Sequence, residues 1–213
     1  MKIIGITGGV GAGKSTVLQI MRQEYHAYIV EADRLAEKLM EPGTGLYQRI
    51  LDYFQTYIEH KADDRNRVDY TRDDLVLPDD RLNRALIAKL IFSDSEALAS
   101  LNHMVHPAVK EYICSDIEAR RGKETIYLIE AALLIEDGYD AICDELWYIY
   151  ADPEIRIARL MKSRNYSEDK CRRIMDNQAP DDYYRTYTRY TIDNTGTMED
   201  TKAQIQKIIQ KSF

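Results

Sequence analysis

Apolar segments rich in β-branched residues alternate along the chain with longer segments whose apolar residues recur at helical spacing. Val17, Leu18 and Met21, for example, fall on one side of a helix predicted over residues 14–25. Alternating strands and helices predict an α/β fold, with a parallel sheet that is covered by helices on both faces and binds ligands at the carboxyl ends of its strands. We predict five strands, at residues 2–7, 27–30, 125–130, 146–150 and 190–193.

Two long helical stretches interrupt this alternation. Residues 33–121 are far longer than a crossover between parallel strands needs, so we expect an inserted substrate-binding region there. Within it, residues 61–84 are dense in charges of both signs, and we interpret them as a solvated excursion with little function. Residues 153–178 follow the fourth strand, and we expect them to close over a ligand as a lid. The arginines of that second stretch are Arg156, Arg159, Arg164, Arg172 and Arg173.

A glycine-rich segment joins the first strand to the first helix. It matches G-x-x-x-x-G-K-[ST], the phosphate-loop motif, in the strand-to-helix context that the motif requires. Its glycines let backbone N–H groups face an anion, and the following helix adds the positive end of its dipole. A glycine-rich turn that only closes a strand-helix unit would need neither the lysine nor the serine. We therefore predict ATP binding by Gly8, Gly9, Val10, Gly11, Ala12, Gly13, Lys14, Ser15 and Thr16.

Three of these residues have more specific predicted tasks. Lys14 should bridge the β- and γ-phosphates, Ser15 should ligate Mg²⁺, and Thr16 should contact the side of the α-phosphate. ATP and Mg²⁺ are therefore the expected cofactors.

Composition narrows the class of protein and its partners. The 213 residues are 45% hydrophobic and 31% charged, which is typical of one compact domain. A formal charge of −7 disfavours nonspecific nucleic-acid binding. The three cysteines form no C-x-x-C pair, and no apolar run is long enough for a signal peptide or a membrane span. We expect a cytoplasmic protein that binds neither nucleic acid nor membranes and is a monomer or at most a weak oligomer.

The other classes of phosphate-loop protein each have a second sequence motif, and this chain contains neither of the two that we considered. The base-reading N-K-x-D of GTPases does not occur, and the loose D-x-x-G match at residues 193–196 comes too late in the chain. The Ser-, Gly- and Gln-rich signature of transport ATPases is also missing. A small-molecule kinase is the class that remains.

Along nearly its whole length the chain resembles the dephospho-CoA kinase family. Residues 7–16 (TGGVGAGKST) are similar to the family's TGGIGSGKST opening, and residues 31–33 (EAD) to its DAD. Departures from the family pattern occur at Glu31, Asn83, Ala132 and Thr188-Arg189. Further matches, in family order, are the Pro42-Gly43 pair, Leu82-Asn83-Arg84, the segment 91–94, Leu101-Asn102 with His106-Pro107, Leu133 to Glu136, Arg159 with Arg164, Gln178, and Ile192-Asp193-Asn194.

This resemblance implies a function for the whole chain. The family transfers the γ-phosphoryl group of ATP to the ribose 3′-hydroxyl of dephospho-CoA, the last step of coenzyme A biosynthesis. It implies one domain over residues 1–213, with a nucleotide-binding core at about 1–31, 122–151 and 186–213, a substrate-binding region at about 32–121 and a lid at about 152–185. The implied catalytic residues are Asp33, Lys14 and Arg159. In addition to the phosphate loop, ATP would be bound by Arg159, Arg164 and Asn194. The acceptor would be bound by Asp33, Arg84, His106 and Glu136.

Several residues keep an alternative role. From spacing alone, Asp33 is as well explained as a helix N-cap as by a catalytic base, and the resemblance favours the base. Arg159 and Arg164 are by default solvated helix residues, and Glu130 either holds the metal through water or caps the end of a strand. Pro107 predicts a break between two helices at His106. For the whole chain, another nucleoside or nucleotide kinase and a nucleotide-binding regulator without turnover stay open.

Overall fold

A five-stranded sheet, parallel throughout, forms the core of the fold, which confirms the predicted α/β class. The structure is a computed structural model and describes residues 1–62, 70–92 and 94–212. The strands are β1 (Lys2–Thr7), β2 (Tyr28–Glu31), β3 (Ile126–Glu130), β4 (Glu145–Tyr150) and β5 (Tyr190–Asp193), in the order β2-β3-β1-β4-β5. The helices are α1 (Lys14–Glu24), α2 (Ala32–Leu39), α3 (Gly45–Ala62), α4 (Arg84–Phe92), α5 (Ser95–Arg120), α6 (Pro153–Arg164), α7 (Glu168–Asp176), α8 (Asp181–Tyr187) and α9 (Met198–Ser212).

Both faces of the sheet are covered, which explains why its strands are almost continuously apolar. On one face, residues such as Ile6, Leu128 and Trp147 pack with α1 and α9 in one buried cluster. On the other face, the ring of Tyr148 stacks on Tyr184 of α8 with a centroid separation of 5.0 Å. The strand ends differ by at most one residue from those predicted, because β-branched and aromatic residues stop where the glycines and polar residues of the loops begin.

The chain divides into two compact units. The first, which we call the sheet unit, comprises residues Met1–Glu31 and Asp116–Phe213 and contains all five strands. The second, the helical unit, comprises Ala32–Ser115 and has its own core of α3 and α4 residues, among them Ile50, Phe54 and Leu86.

In the charged segment 61–84, most side chains of residues 70–84 are exposed, as the composition suggested, but two leucines fix this part of the segment to a core. Residues 63–69 lie outside the described part, but a 3₁₀ turn at Arg72–Leu75 follows them. Leu75 is 0% exposed and Leu82 is 4% exposed, and both belong to the core of the helical unit. The composition did not indicate this attachment because mean charge hides single apolar residues, and two buried leucines suffice to anchor a short segment.

The predicted helix break at Pro107 is also wrong. Helix α5 runs without interruption from Ser95 to Arg120 with Pro107 inside it. Proline cannot donate to the carbonyl four residues earlier, which costs the helix one bond. Buried Val109 and Ile113 follow the proline, and packing of this kind supplies most of the stability of a helix in a folded protein.

The stretch at residues 153–178 is helical as predicted, but it forms two helices. Helix α6 ends at Arg164, where Asn165 adopts the left-handed conformation with φ 53°. The Ser167 side chain then accepts a hydrogen bond from the Lys170 N–H and caps α7.

Leu75 provides a test of the buried segment. Leu75→Ala should lower the free energy of unfolding by roughly 2–5 kcal/mol, because it leaves a cavity in the core of the helical unit. The control is Leu77→Ala two residues away, where the leucine is 37% exposed and the loss should stay below about 1 kcal/mol. Chemical denaturation measures both values, and equal losses would contradict the description of this segment.

Candidate active site

The phosphate loop lies between β1 and α1, at the carboxyl edge of the sheet. Gly8, Gly11 and Gly13 all have positive φ, so the loop takes a path that other residues adopt only with strain. Gly13 occupies the N-cap position of α1, with φ 87° and no side-chain hydrogen bond to the first turn. The start of α1 thus carries no cap of its own, as an anion-binding helix terminus requires.

Carbonyl groups of the loop are bound by side chains from the second half of the sheet unit. The Val10 carbonyl accepts from Arg156 Nε at 2.8 Å, and the Ala12 carbonyl accepts from Asn194 Nδ2 at 2.8 Å. In a trans peptide the next N–H points the opposite way. Those N–H groups belong to Gly11 and Gly13, and neither has a hydrogen-bond partner within the described residues. The loop therefore presents donors on the side away from Arg156 and Asn194.

Lys14 has two partners beside the loop. Its Nζ donates to the Gly8 carbonyl at 2.9 Å and lies 3.5 Å from Glu130 Oε1, at the end of β3. Glu130 therefore forms an ion pair with the loop lysine, a contact that neither of its two expected roles included.

Arg159 and Arg164, which sequence reasoning grouped together, have different surroundings. Arg159 is half-buried and donates from Nη1 to the Ala12 carbonyl at 3.3 Å and from Nη2 to the Asn194 carbonyl at 2.8 Å. Arg164 is exposed at the last position of α6 and has no hydrogen bond or ion pair within the described residues. Arg159 lies against the loop and Arg164 does not.

Asn194 braces the loop from the other side. Its side chain is buried, with Nδ2 donating to the Ala12 carbonyl and Oδ1 accepting from Thr201 Oγ1 at 2.9 Å. A Cβ added at Gly13 would lie 2.1 Å from Asn194 Nδ2. The side-chain amide is thus committed to the protein, and the predicted contact of Asn194 with adenine stays a prediction.

The structure brings to the loop two residues of the predicted lid for which the sequence analysis gave no individual role. Arg156 and Gln178 both contact Val10 of the loop. The available signal was helical spacing, because Arg156 precedes Arg159 by three residues and so lies on the same side of α6. Thr7, immediately before the loop, has a buried hydroxyl without a hydrogen-bond partner within the described residues.

The residues expected to bind the acceptor fall mainly in the helical unit. Asp33 is exposed in the first turn of α2, and within this unit its carboxylate has no described hydrogen bond or ion pair. It lies inside the helix rather than at the preceding N-cap position. One turn later on α2, Glu37 binds Arg84 Nη1 at 3.2 Å. His106 lies within α5, and Glu136, in the sheet unit, is exposed after β3.

None of the helices, over the residues that the structure describes, has both the length and the apolar character that crossing a membrane requires. The same residues contain no group of three or more His, Cys, Asp or Glu side chains placed to hold a metal ion.

Comparison with known proteins gives a consistent result. The family model for dephospho-CoA kinase matches residues 2–200. The dephospho-CoA kinase of Geobacter sulfurreducens is 31% identical over 214 residues and covers 100% of both chains. That of Streptococcus mutans is 30% identical and covers 99% of this chain and 97% of its own. The solved dephospho-CoA kinase of Campylobacter jejuni shares the fold, with a TM-score of 0.70 at 19% identity over 100% of this chain and 98% of that one.

The close approach at Gly13 gives a test of the loop geometry. Gly13→Ala should abolish nucleotide binding, because the added Cβ displaces the Asn194 amide that holds the Ala12 carbonyl. Gly43→Ala is the control, since Gly43 has the same φ of 87° and nothing within 4 Å of an added Cβ. It should cost about 1–2 kcal/mol of stability from backbone strain alone and leave binding unchanged. Calorimetric titration with ATP decides, and normal binding by Gly13→Ala would contradict the geometry.

Proposed function

The chain belongs to the dephospho-CoA kinase family, and on that basis we propose that it transfers the γ-phosphoryl group of ATP to the ribose 3′-hydroxyl of dephospho-CoA, giving coenzyme A and ADP. The family match over residues 2–200 carries this proposal. The donor side of the site supports it, because the phosphate loop offers N–H groups and an uncapped helix start to a polyphosphate.

On the donor side, Lys14 is the mobile cation. It now contacts the Gly8 carbonyl and Glu130, and in the proposed reaction it moves with the negative charge that develops between the β- and γ-phosphates. Arg159, Arg164 and Asn194 belong to the proposed ATP site. Arg159 and Asn194 support it through the carbonyl groups of the loop.

Ser15 is the proposed protein ligand of Mg²⁺. The Ser15 side chain is exposed in the first turn of α1, and its hydroxyl has no partner among the described residues, so the oxygen is available to a metal. Kinases hold Mg²⁺ with one or two side chains and the substrate phosphates, so a cluster of acidic ligands is not required. When bound, the ion neutralises charge on the phosphates.

On the acceptor side, Asp33 is the proposed general base. Its carboxylate accepts the proton of the 3′-hydroxyl as the oxygen forms its bond to the γ-phosphorus, and the bond from that phosphorus to the bridging oxygen of ADP breaks. Two observations support this role: its carboxylate is exposed and has no partner among the described residues of the helical unit, and Asp33 follows β2 by two residues. Arg84, His106 and Glu136 complete the proposed acceptor site.

The proposal also covers the cellular location and the oligomeric state of the protein. Its three cysteines are free, and burial raises the pKa of Cys143 to about 12, which makes that thiol unreactive. Free cysteines support a reducing, cytoplasmic location. We propose that the protein acts as a single-domain monomer, with substrate-binding and lid segments as assigned from the sequence.

An acceptor panel tests the proposed function. ADP release should depend on dephospho-CoA and stay at background with nucleosides and nucleoside monophosphates, while Lys14→Ala should be inactive with every acceptor. Mass spectrometry should detect coenzyme A as the product. Release with a different acceptor would identify another kinase, and ATP binding without any release would identify a regulator.

Asp33→Asn separates catalysis from a structural role. Asparagine keeps the size of the side chain but takes no proton, so kcat should fall by roughly 10² or more while ATP affinity and the thermal midpoint stay normal. Asp52→Asn, the same change at an exposed position of α3, is the control and should keep full activity. A near-normal kcat for Asp33→Asn would refute the assignment.

A further inference from the structure

The peptide groups on both sides of Val10 are held by two side chains of residues 153–178: Arg156 of α6, and Gln178, which follows the end of α7 by two residues. The Val10 N–H donates to Gln178 Oε1 at 3.0 Å, and the Val10 carbonyl accepts from Arg156 Nε at 2.8 Å. Arg156 Nη2 also donates to the same Gln178 oxygen at 2.7 Å. The three groups therefore form a closed ring of hydrogen bonds at the tip of the phosphate loop.

Packing reinforces this ring. Arg156 is only 8% exposed, and a buried guanidinium is stable only when it is hydrogen-bonded. It lies against Gly9, where an added Cβ would come within 2.2 Å of Nη2. The Val10 side chain packs against the buried cluster formed by Ile157 and Leu160 of α6 and Cys171 of α7. Backbone and side chain of Val10 are thus held by the same segment.

The direction of one peptide depends on this ring. With the Val10 carbonyl turned toward Arg156, the Gly11 N–H of the same trans peptide points the opposite way and has no partner within the described residues. If Arg156 released the carbonyl, Gly11 would allow the peptide to rotate, because glycine accepts both signs of φ. The Gly11 N–H would then no longer point toward the side on which the loop binds an anion.

We propose that Arg156 and Gln178 are positioning residues that fix the peptide between Val10 and Gly11, and thereby preorganise the phosphate loop for ATP. This inference rests on the proposed function only in taking ATP as the ligand. Neither side chain needs to touch the nucleotide, since each acts through the backbone of Val10. Preorganisation raises affinity because the ordering of the loop is completed before the ligand arrives.

Two conservative variants separate positioning from charge. Arg156→Lys keeps the positive charge but loses the planar fork that reaches Val10 and Gln178 together. Gln178→Met keeps the length of the side chain and removes the acceptor. We expect each variant to raise the dissociation constant of ATP by about tenfold, the scale for losing a hydrogen bond to a charged group. The KM for dephospho-CoA should stay unchanged.

The double variant tests whether both residues act through the same peptide. Because the second change finds the ring already broken, its ATP dissociation constant should lie within about twofold of the weaker-binding single variant. The control is Arg172→Lys, the same chemical change at an exposed arginine of α7 that pairs with Glu154 and Glu168. It should bind ATP as the wild type does.

Calorimetric titration with ATP and no acceptor decides the matter. A lower thermal midpoint with unchanged ATP binding in both single variants would overturn the proposal, and so would fully additive effects in the double variant. If Arg156→Lys does not fold, Gln178→Met alone decides by the same criterion. Wild-type protein that binds ATP but leaves dephospho-CoA unmodified would refute the proposed function without affecting this test.

Discussion

The site depends on the direction of the peptide groups in the phosphate loop. An N–H can face an anion only if the carbonyl of the same peptide points the other way, and that carbonyl then needs a hydrogen-bond donor there. Short glycine-rich segments cannot meet this requirement alone, because their conformational freedom makes many other paths equally accessible. Here Arg156, Arg159 and Asn194 hold the loop carbonyls from outside. The glycines permit the path of the loop, and these three side chains select it.

The sheet brings those side chains into place. Since β4 lies beside β1 and β5 beside β4, the segments that follow β4 and β5 arrive next to the loop that follows β1. Helix α6 contributes the two arginines, and Asn194 comes directly after β5. The site therefore depends on the order of the strands in the sheet as well as on the motif at residues 8–15.

The sequence was sufficient to predict those features that depend only on neighbouring residues. Strand boundaries and the phosphate loop follow from residue types within a few positions, so they could be located without any structure. Leu75 and Pro107 could not be interpreted in this way, because burial in a separate core and packing beyond the proline override the local signals. The contrast between Arg159 and Arg164 depends on which turn of α6 faces the loop, which their side-chain chemistry does not indicate. The roles assigned to the acceptor residues still rest on family resemblance.

The central position of β1 also affects how the protein is made. The strand that carries the phosphate loop is synthesised before the other four strands, yet both of its neighbours, β3 and β4, begin more than 100 residues later in the chain. The side chain that binds the Ala12 carbonyl most closely, Asn194, is synthesised 182 residues after it. A nascent chain therefore carries the motif long before it has a nucleotide site, and fragments truncated before β5 should have no affinity for ATP.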